Sequence, residues 1–128
     1  MAFTLPRPTT AELEILGALW TRGPSTVRDV QDYVQQTKPT GYTTVLKLLQ
    51  IMADKGLVRR DETQRAHVYH AVASQERTQR QLVDDLAARA FGGSAMALAM
   101  RAIGSRRATR TELAQIRQML DDVERAQR

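Results

Sequence analysis

Tyr42-Thr43-Thr44, followed by Lys47 and Gln50, is the stretch whose residue types and spacing could do chemistry of a definite kind. On a helix Thr43, Lys47 and Gln50 share a face, and the free backbone N–H groups of the first turn lie beside them. Such amides take phosphate, a threonine hydroxyl bonds phosphate while its methyl meets a thymine methyl, and a lysine one turn further reaches a guanine edge or a phosphate. The same residues also read as a plain helix start with a solvated lysine, and Tyr42 reads equally as a packing residue with its hydroxyl at the surface. Downstream, Arg59, Arg60 and Arg65 add cations suited to a sugar-phosphate backbone. Arg59 and Arg60 alternate in direction on a strand, so no more than one of them faces a duplex, and Arg65 is the stronger candidate.

Other constellations lead nowhere. His67 and His70 fall on opposite faces of a strand and have no nearby carboxylate, so they make a poor metal pair and read as structural. Asp84-Asp85 and Asp121-Asp122 are adjacent on helices and diverge by about 100° without a catalytic partner, which makes them solvated faces. There is no glycine-rich phosphate loop, no nucleophile-base pair and no metal set, so no enzyme, metal site or cofactor is expected.

Composition agrees with a folded binding protein. The 128 residues suit one ordinary domain or two small ones, and a hydrophobic share of 42% with 26% charged residues is that of a folded chain. The net charge of +5 favours a polyanionic partner. Locally, Lys38, Lys47, Lys55, Arg59, Arg60 and Arg65 outnumber Asp54, Asp61 and Glu62, which marks 38–65 as the electrostatic candidate. With no Cys, disulfides and thiolate metal sites are excluded and a cytoplasmic protein is expected. No apolar run approaches the roughly 20 residues of a membrane span, and Met1 to Arg7 lacks a secretory start.

The elements that must position these residues follow from periodicity. Thr9 and Glu12 form a capping box ahead of Leu13, Leu16, Leu19 and Trp20, with Gly23-Pro24 as the stop. Trp20 is expected in the core, closing that helix against the hairpin described below. Val27, Val30 and Val34 give a second short helix. Val45, Leu48, Leu49 and Met52 give a third from about Tyr42 to Lys55, closed by Gly56. Leu57 to Glu62 and Arg65 to Val72 then read as two strands around a turn at Thr63-Gln64. Three helices and a hairpin are the order of a winged helix-turn-helix, whose third helix enters the major groove.

The remainder is helical. Ser74 caps a helix running to Phe91, with Leu82, Val83, Leu86 and Ala90 on its inner face, and Gly92-Gly93 breaks it. Ser94 to Ile103 forms a short Ala- and Met-rich helix, Gly104 to Ala108 a loop, and a last helix starts at Thr109 to Thr111. In that last helix Leu113, Ile116, Leu120 and Val123 make a narrow seam of the kind that pairs helices. The reading is therefore mainly α with a small β-hairpin: a winged-helix domain over 1–73 and a helical domain over 74–128.

Three stretches, in order, resemble the BlaI/MecI/CopY family of bacterial repressors. They are Ala11-Glu12-Leu13-Glu14-Ile15-Leu16 with Leu19-Trp20; Tyr42-Thr43-Thr44-Val45 with Lys55-Gly56-Leu57-Val58-Arg59-Arg60 and Arg65-Ala66-His67-Val68-Tyr69; and Phe91-Gly92-Gly93-Ser94 ahead of an apolar helix. Together they cover about Thr9 to Leu120. The resemblance implies a C-terminal dimerisation domain, a homodimer and a two-fold symmetric operator on double-stranded DNA at which transcription is blocked. Leu82, Leu86, Met96, Leu113, Ile116, Leu120 and Val123 are then the expected shared interface, and Tyr42, Thr43, Thr44, Lys47, Gln50, Arg60 and Arg65 the expected DNA contacts.

Two departures bear on control. Copper-responsive members carry a Cys-rich tail, whereas this chain ends in Asp121 to Arg128, so thiolate copper sensing is not expected. Penicillinase-type members are cleaved at an Asn-Phe bond under a membrane-bound sensor protease, and this chain has no Asn. The resemblance puts any cleavage here near Ala99, Met100 and Arg101. Two competing readings stay open: a winged helix that docks on protein, against which the polar face of Thr43, Lys47 and Gln50 argues, and a ligand-responsive regulator with Met96 and Met100 lining a cavity.

Overall fold

The computed structural model describes residues 6–128; Met1 to Leu5, part of the stretch read for a secretory start, lie outside the described residues. The chain divides into two compact units, Met1–Leu82 and Val83–Arg128, with the division inside a helix.

In the first unit, Thr9 opens helix α1 (Thr10–Arg22) through a reciprocal cap. Its hydroxyl accepts the Glu12 N–H at 3.2 Å, and the Glu12 carboxylate accepts the Thr9 N–H at 2.8 Å. Ile15, Leu16 and Leu19 form its buried face. Thr26 and Asp29 cap helix α2 (Val27–Val34) in the same reciprocal way, and Val27, Val30 and Val34 turn inward. Helix α3 (Tyr42–Lys55) buries Val45, Leu49 and Met52, with Leu48 partly buried beside them. It ends at Gly56, whose φ of 85° is a left-handed conformation that glycine adopts without strain.

Strands β1 (Val58–Asp61) and β2 (Val68–Ala71) pair antiparallel, with Val58 opposite Ala71 and Arg60 opposite Tyr69. The hairpin is shorter than periodicity predicts. The Asp61 carboxylate takes both the backbone N–H and the hydroxyl of Thr63, at 2.9 and 2.7 Å, and this local turn draws the chain out of the ladder. Those two hydrogen bonds also hold the Asp61 carboxyl below its ordinary range.

Tertiary ties fix the hairpin to the helices. Ser25 exchanges two backbone hydrogen bonds with Tyr69, at 3.1 and 2.8 Å, which seats the start of α2 beside β2. Tyr69 is buried in the core, and the Trp20 indole N–H donates to the Ala73 carbonyl at 3.0 Å just past β2. Trp20 thus packs against the core from its rim, closing α1 onto the end of the hairpin.

Helix α4 (Gln75–Ala90) begins where the Ser74 hydroxyl accepts the Arg77 N–H. Its first turns belong to the first unit: Thr78 is buried, and with Gln81, Leu16 and Leu57 it lines a small depression. Its remainder belongs to the second unit, in which Gly92 and Gly93, both with positive φ, turn the chain into helix α5 (Ala95–Ser105). The expected stop at Ile103 is corrected: α5 continues through Gly104 to Ser105, whose hydroxyl donates back to the Arg101 carbonyl. A single glycine lowers helix propensity by only about 1 kcal/mol, too little to end a helix unaided. Helix α6 (Arg110–Ala126) opens on a third capping box, Thr109 with Glu112, whose carboxyl the Thr109 N–H and hydroxyl hold low. Neither α5 nor α6 contains a buried residue. Among the described residues no helix is long and apolar enough to cross a membrane.

Candidate nucleic-acid interface

Helix α3 carries the site, and its burial pattern decides which residues face outward. Val45, Leu49 and Met52 point into the core, so Thr43, Lys47 and Gln50 form an exposed ridge on the opposite side. Two hollows flank that ridge. On one flank Thr44 opens toward Lys38, Thr40 and Glu14 across a hollow of about 210 Å³. On the other, Tyr42 and Leu46 face the hairpin and the start of α2 across a cleft of about 280 Å³. The sequence-predicted residues therefore share one helix but look three ways.

The N-cap of α3 is Gly41, which supplies no side-chain hydrogen bond, so the amides of the first turn keep their capacity to donate. In α1, α2 and α6 a threonine occupies that role. The helix that carries the polar ridge is the exception.

A partly buried ion pair ties the end of α3 to the start of α1. The Lys55 ammonium, in its last turn, donates to both Glu12 oxygens at 2.8 and 3.1 Å, and Glu12 is only 2% exposed while the Lys55 side chain is 35% exposed. Burial alone pushes the Glu12 carboxyl up, but the hydrogen bonds from Lys55 and Thr9 and the Lys55 charge outweigh it and leave it below its ordinary range. The two helix ends are thereby tied across the core, and Glu12 does double duty as cap and counter-ion. Sequence reasoning found the cap and missed the pair, because nothing local links residues so far apart in the chain.

In the hairpin, Arg60 is engaged: its guanidinium lies 2.6 Å from the Glu62 carboxylate. The Tyr69 hydroxyl, first, and Glu62, second, raise its pKa further. Arg65, in the turn, is exposed and has no ion-pair partner among the described residues. Arg28 was not singled out by the sequence. It lies 5.6 Å from the centre of the Tyr42 ring, within the range of a cation–π contact, and lines the same cleft as Arg65. No periodicity could have found it, since its neighbour Tyr42 comes from another helix.

In the second unit, Leu113 and Ile116 are partly buried, as is Leu82 at the end of the first unit, while Leu86, Leu120 and Val123 are largely exposed. Met96 and Met100 are 70% and 69% exposed. Ala99, Met100 and Arg101 lie inside α5, in helical backbone.

Three helices, the third with an open polar face, and a two-stranded wing define a winged helix-turn-helix. Residues 8–122 match the penicillinase repressor family, and the chain belongs to that family, one of transcriptional repressors and not of enzymes. An 80-residue stretch is 35% identical to the transcriptional regulator BlaI of Mycobacterium tuberculosis, in the CDC 1551 / Oshkosh and H37Rv strains alike; it spans 62% of this chain and 58% of that regulator's length. Among solved structures, the monomeric form of Bacillus licheniformis BlaI in complex with the blaP half-operator aligns over 57% of this chain and 89% of its own, with a TM-score of 0.50 and 20% identity. The DNA-binding domain of the repressor BlaI aligns over 58% and 90%, with the same score and identity. At that identity the likeness is one of fold.

Proposed function

We propose that this protein is a sequence-specific DNA-binding transcriptional repressor that acts as a homodimer on a palindromic operator. The observation that carries the reading is the α3 ridge: Thr43, Lys47 and Gln50 exposed on a helix whose opposite face is locked into the core and whose end is tethered through Lys55 and Glu12. Family membership and the half-operator bound by Bacillus licheniformis BlaI support DNA as the partner. Thr43, Lys47 and Gln50 read base edges, Tyr42 and Thr44 flank them, and Arg65 on the wing, with Arg60 at its base, meets the sugar-phosphate backbone.

One winged helix makes few base contacts, so useful specificity requires two half-sites read by a symmetric pair. The exposed apolar residues of the second unit support its pairing with a second copy, through Met96, Leu113, Ile116, Leu120 and Val123 together with Leu82 and Leu86 on α4. Release of repression through a membrane-bound sensor protease acts in α5 near Ala99 to Arg101. A protease needs extended backbone, and a helix with no buried residue opens locally at little cost.

The test is titration of the purified chain against promoter fragments from its own genome. Lys47→Ala should weaken binding to the preferred fragment by about 1–3 kcal/mol if Lys47 reads a guanine. If it meets a phosphate instead, the salt slope should fall by about 0.9. Affinity and slope both unchanged would remove Lys47 from the interface, and no binding to any fragment would defeat the reading.

A further inference from the structure

The hollow on the wing side of α3 is bounded by three separately anchored elements. The start of α2 contributes Thr26 and Arg28, the start of α3 contributes Tyr42, and the hairpin turn contributes Arg65 and His67. The Ser25–Tyr69 backbone bridge fixes the first of these against the third, and the buried face of α3 fixes the second. The cleft width is therefore set by the fold. Among the described residues no carboxylate lines it. The nearby acids are already committed: Asp29 caps α2, Asp61 holds Thr63 and Glu62 holds Arg60.

We propose that this cleft seats the phosphate backbone of one DNA strand, with Arg28, held over the Tyr42 ring, and Arg65, on the hairpin turn, both reaching it. The inference rests on the DNA-binding reading and adds to it a residue outside α3 and the wing. An exposed arginine normally spends conformational freedom to hold one geometry. Placing the guanidinium over an aromatic face 5.6 Å away helps to hold it in one orientation while its N–H edge stays open to oxygen ligands. Tyr42 then acts as a platform for Arg28 and makes no base contact, which accounts for an aromatic residue standing half-exposed at the first position of α3. A phosphate is the fitting occupant because two guanidiniums and an imidazole face a space without anionic counterparts.

Arg28 contacts backbone and not base, so its loss must be indifferent to sequence. One phosphate contact contributes about 0.9 to the slope of log affinity against log salt, which amounts to about eightfold in affinity at about 0.1 M salt. Fluorescence anisotropy with the full chain, on a promoter fragment and on a mixed-sequence duplex of equal length, should show Arg28→Ala binding both about eightfold more weakly, with the slope reduced by about 0.9. In a Tyr42→Phe background, which keeps the ring, Arg28→Ala should still lower the slope by about 0.9. Tyr42→Leu, which removes it, should share the Arg28→Ala loss, and the double variant should be little worse than either single one. Thermal melts of each variant exclude unfolding as the cause.

An unchanged slope in Arg28→Ala overturns the proposal while leaving the repressor reading intact, provided the native chain binds the promoter fragment. A loss confined to the promoter fragment also overturns it, by making Arg28 a base reader. A native chain that binds neither duplex overturns both readings.

Discussion

Glu12 illustrates how much one side chain can carry. It closes the cap of α1, neutralises Lys55 and sits in the core beneath the helix that bears the polar ridge. Its folded pKa is below that of an unfolded Glu at about 4.3, so its contribution is fully present above that value. The contribution is lost as pH falls through the depressed folded value. Glu12→Gln keeps an acceptor for the cap but leaves Lys55 without its counter-ion, and should cost about 1–2 kcal/mol at neutral pH, a figure discounted because Lys55 is partly solvated. Thermal melts from neutral pH to about pH 3 should show the native chain losing more stability than the variant, so that the two converge in acid. Parallel curves over that range would mean that the ion pair does not contribute.

At the scale of elements, most of the architecture was legible because its signals are local. Thr9 with Glu12, the valine spacing of α2, Gly56 after α3 and the Gly92-Gly93 break each act within a few residues, and α3 runs over Tyr42–Lys55 as periodicity predicts. Legibility failed where a side chain acted across the fold or competed with the backbone. Asp61 shortened the hairpin by binding Thr63, Gly104 failed to stop α5, and the Arg28–Tyr42 and Glu12–Lys55 contacts join segments that no sequence period connects. The ridge of Thr43, Lys47 and Gln50 was readable from helical spacing, whereas its two flanking hollows needed the packed neighbours. The α6 seam supports a prediction at this scale. If Leu120 is buried between two copies, Leu120→Ala should weaken the dimer by about 2–5 kcal/mol, read as a shift of the monomer–dimer midpoint in sedimentation equilibrium. An unmoved midpoint would take α6 out of the interface.

At the scale of the whole molecule, the two units present complementary needs. The first has a formed core and an outward polar ridge, while the second exposes Leu120, Val123, Met96 and Met100 and buries almost nothing in α5 and α6. A surface so apolar is uncommon on a monomer and fits the proposed pairing with a second copy. The proposed pair would supply the second reading head that specificity requires. The central claim is that two copies of α3 occupy major-groove half-sites on the same face of one duplex. Hydroxyl-radical footprinting of the promoter fragment, with the bound stoichiometry measured on the same complex, tests it most directly. Two chains per duplex and two symmetric protected stretches separated by about 10–10.5 base pairs, or a multiple of that, are expected. A single protected stretch held by one chain would contradict it.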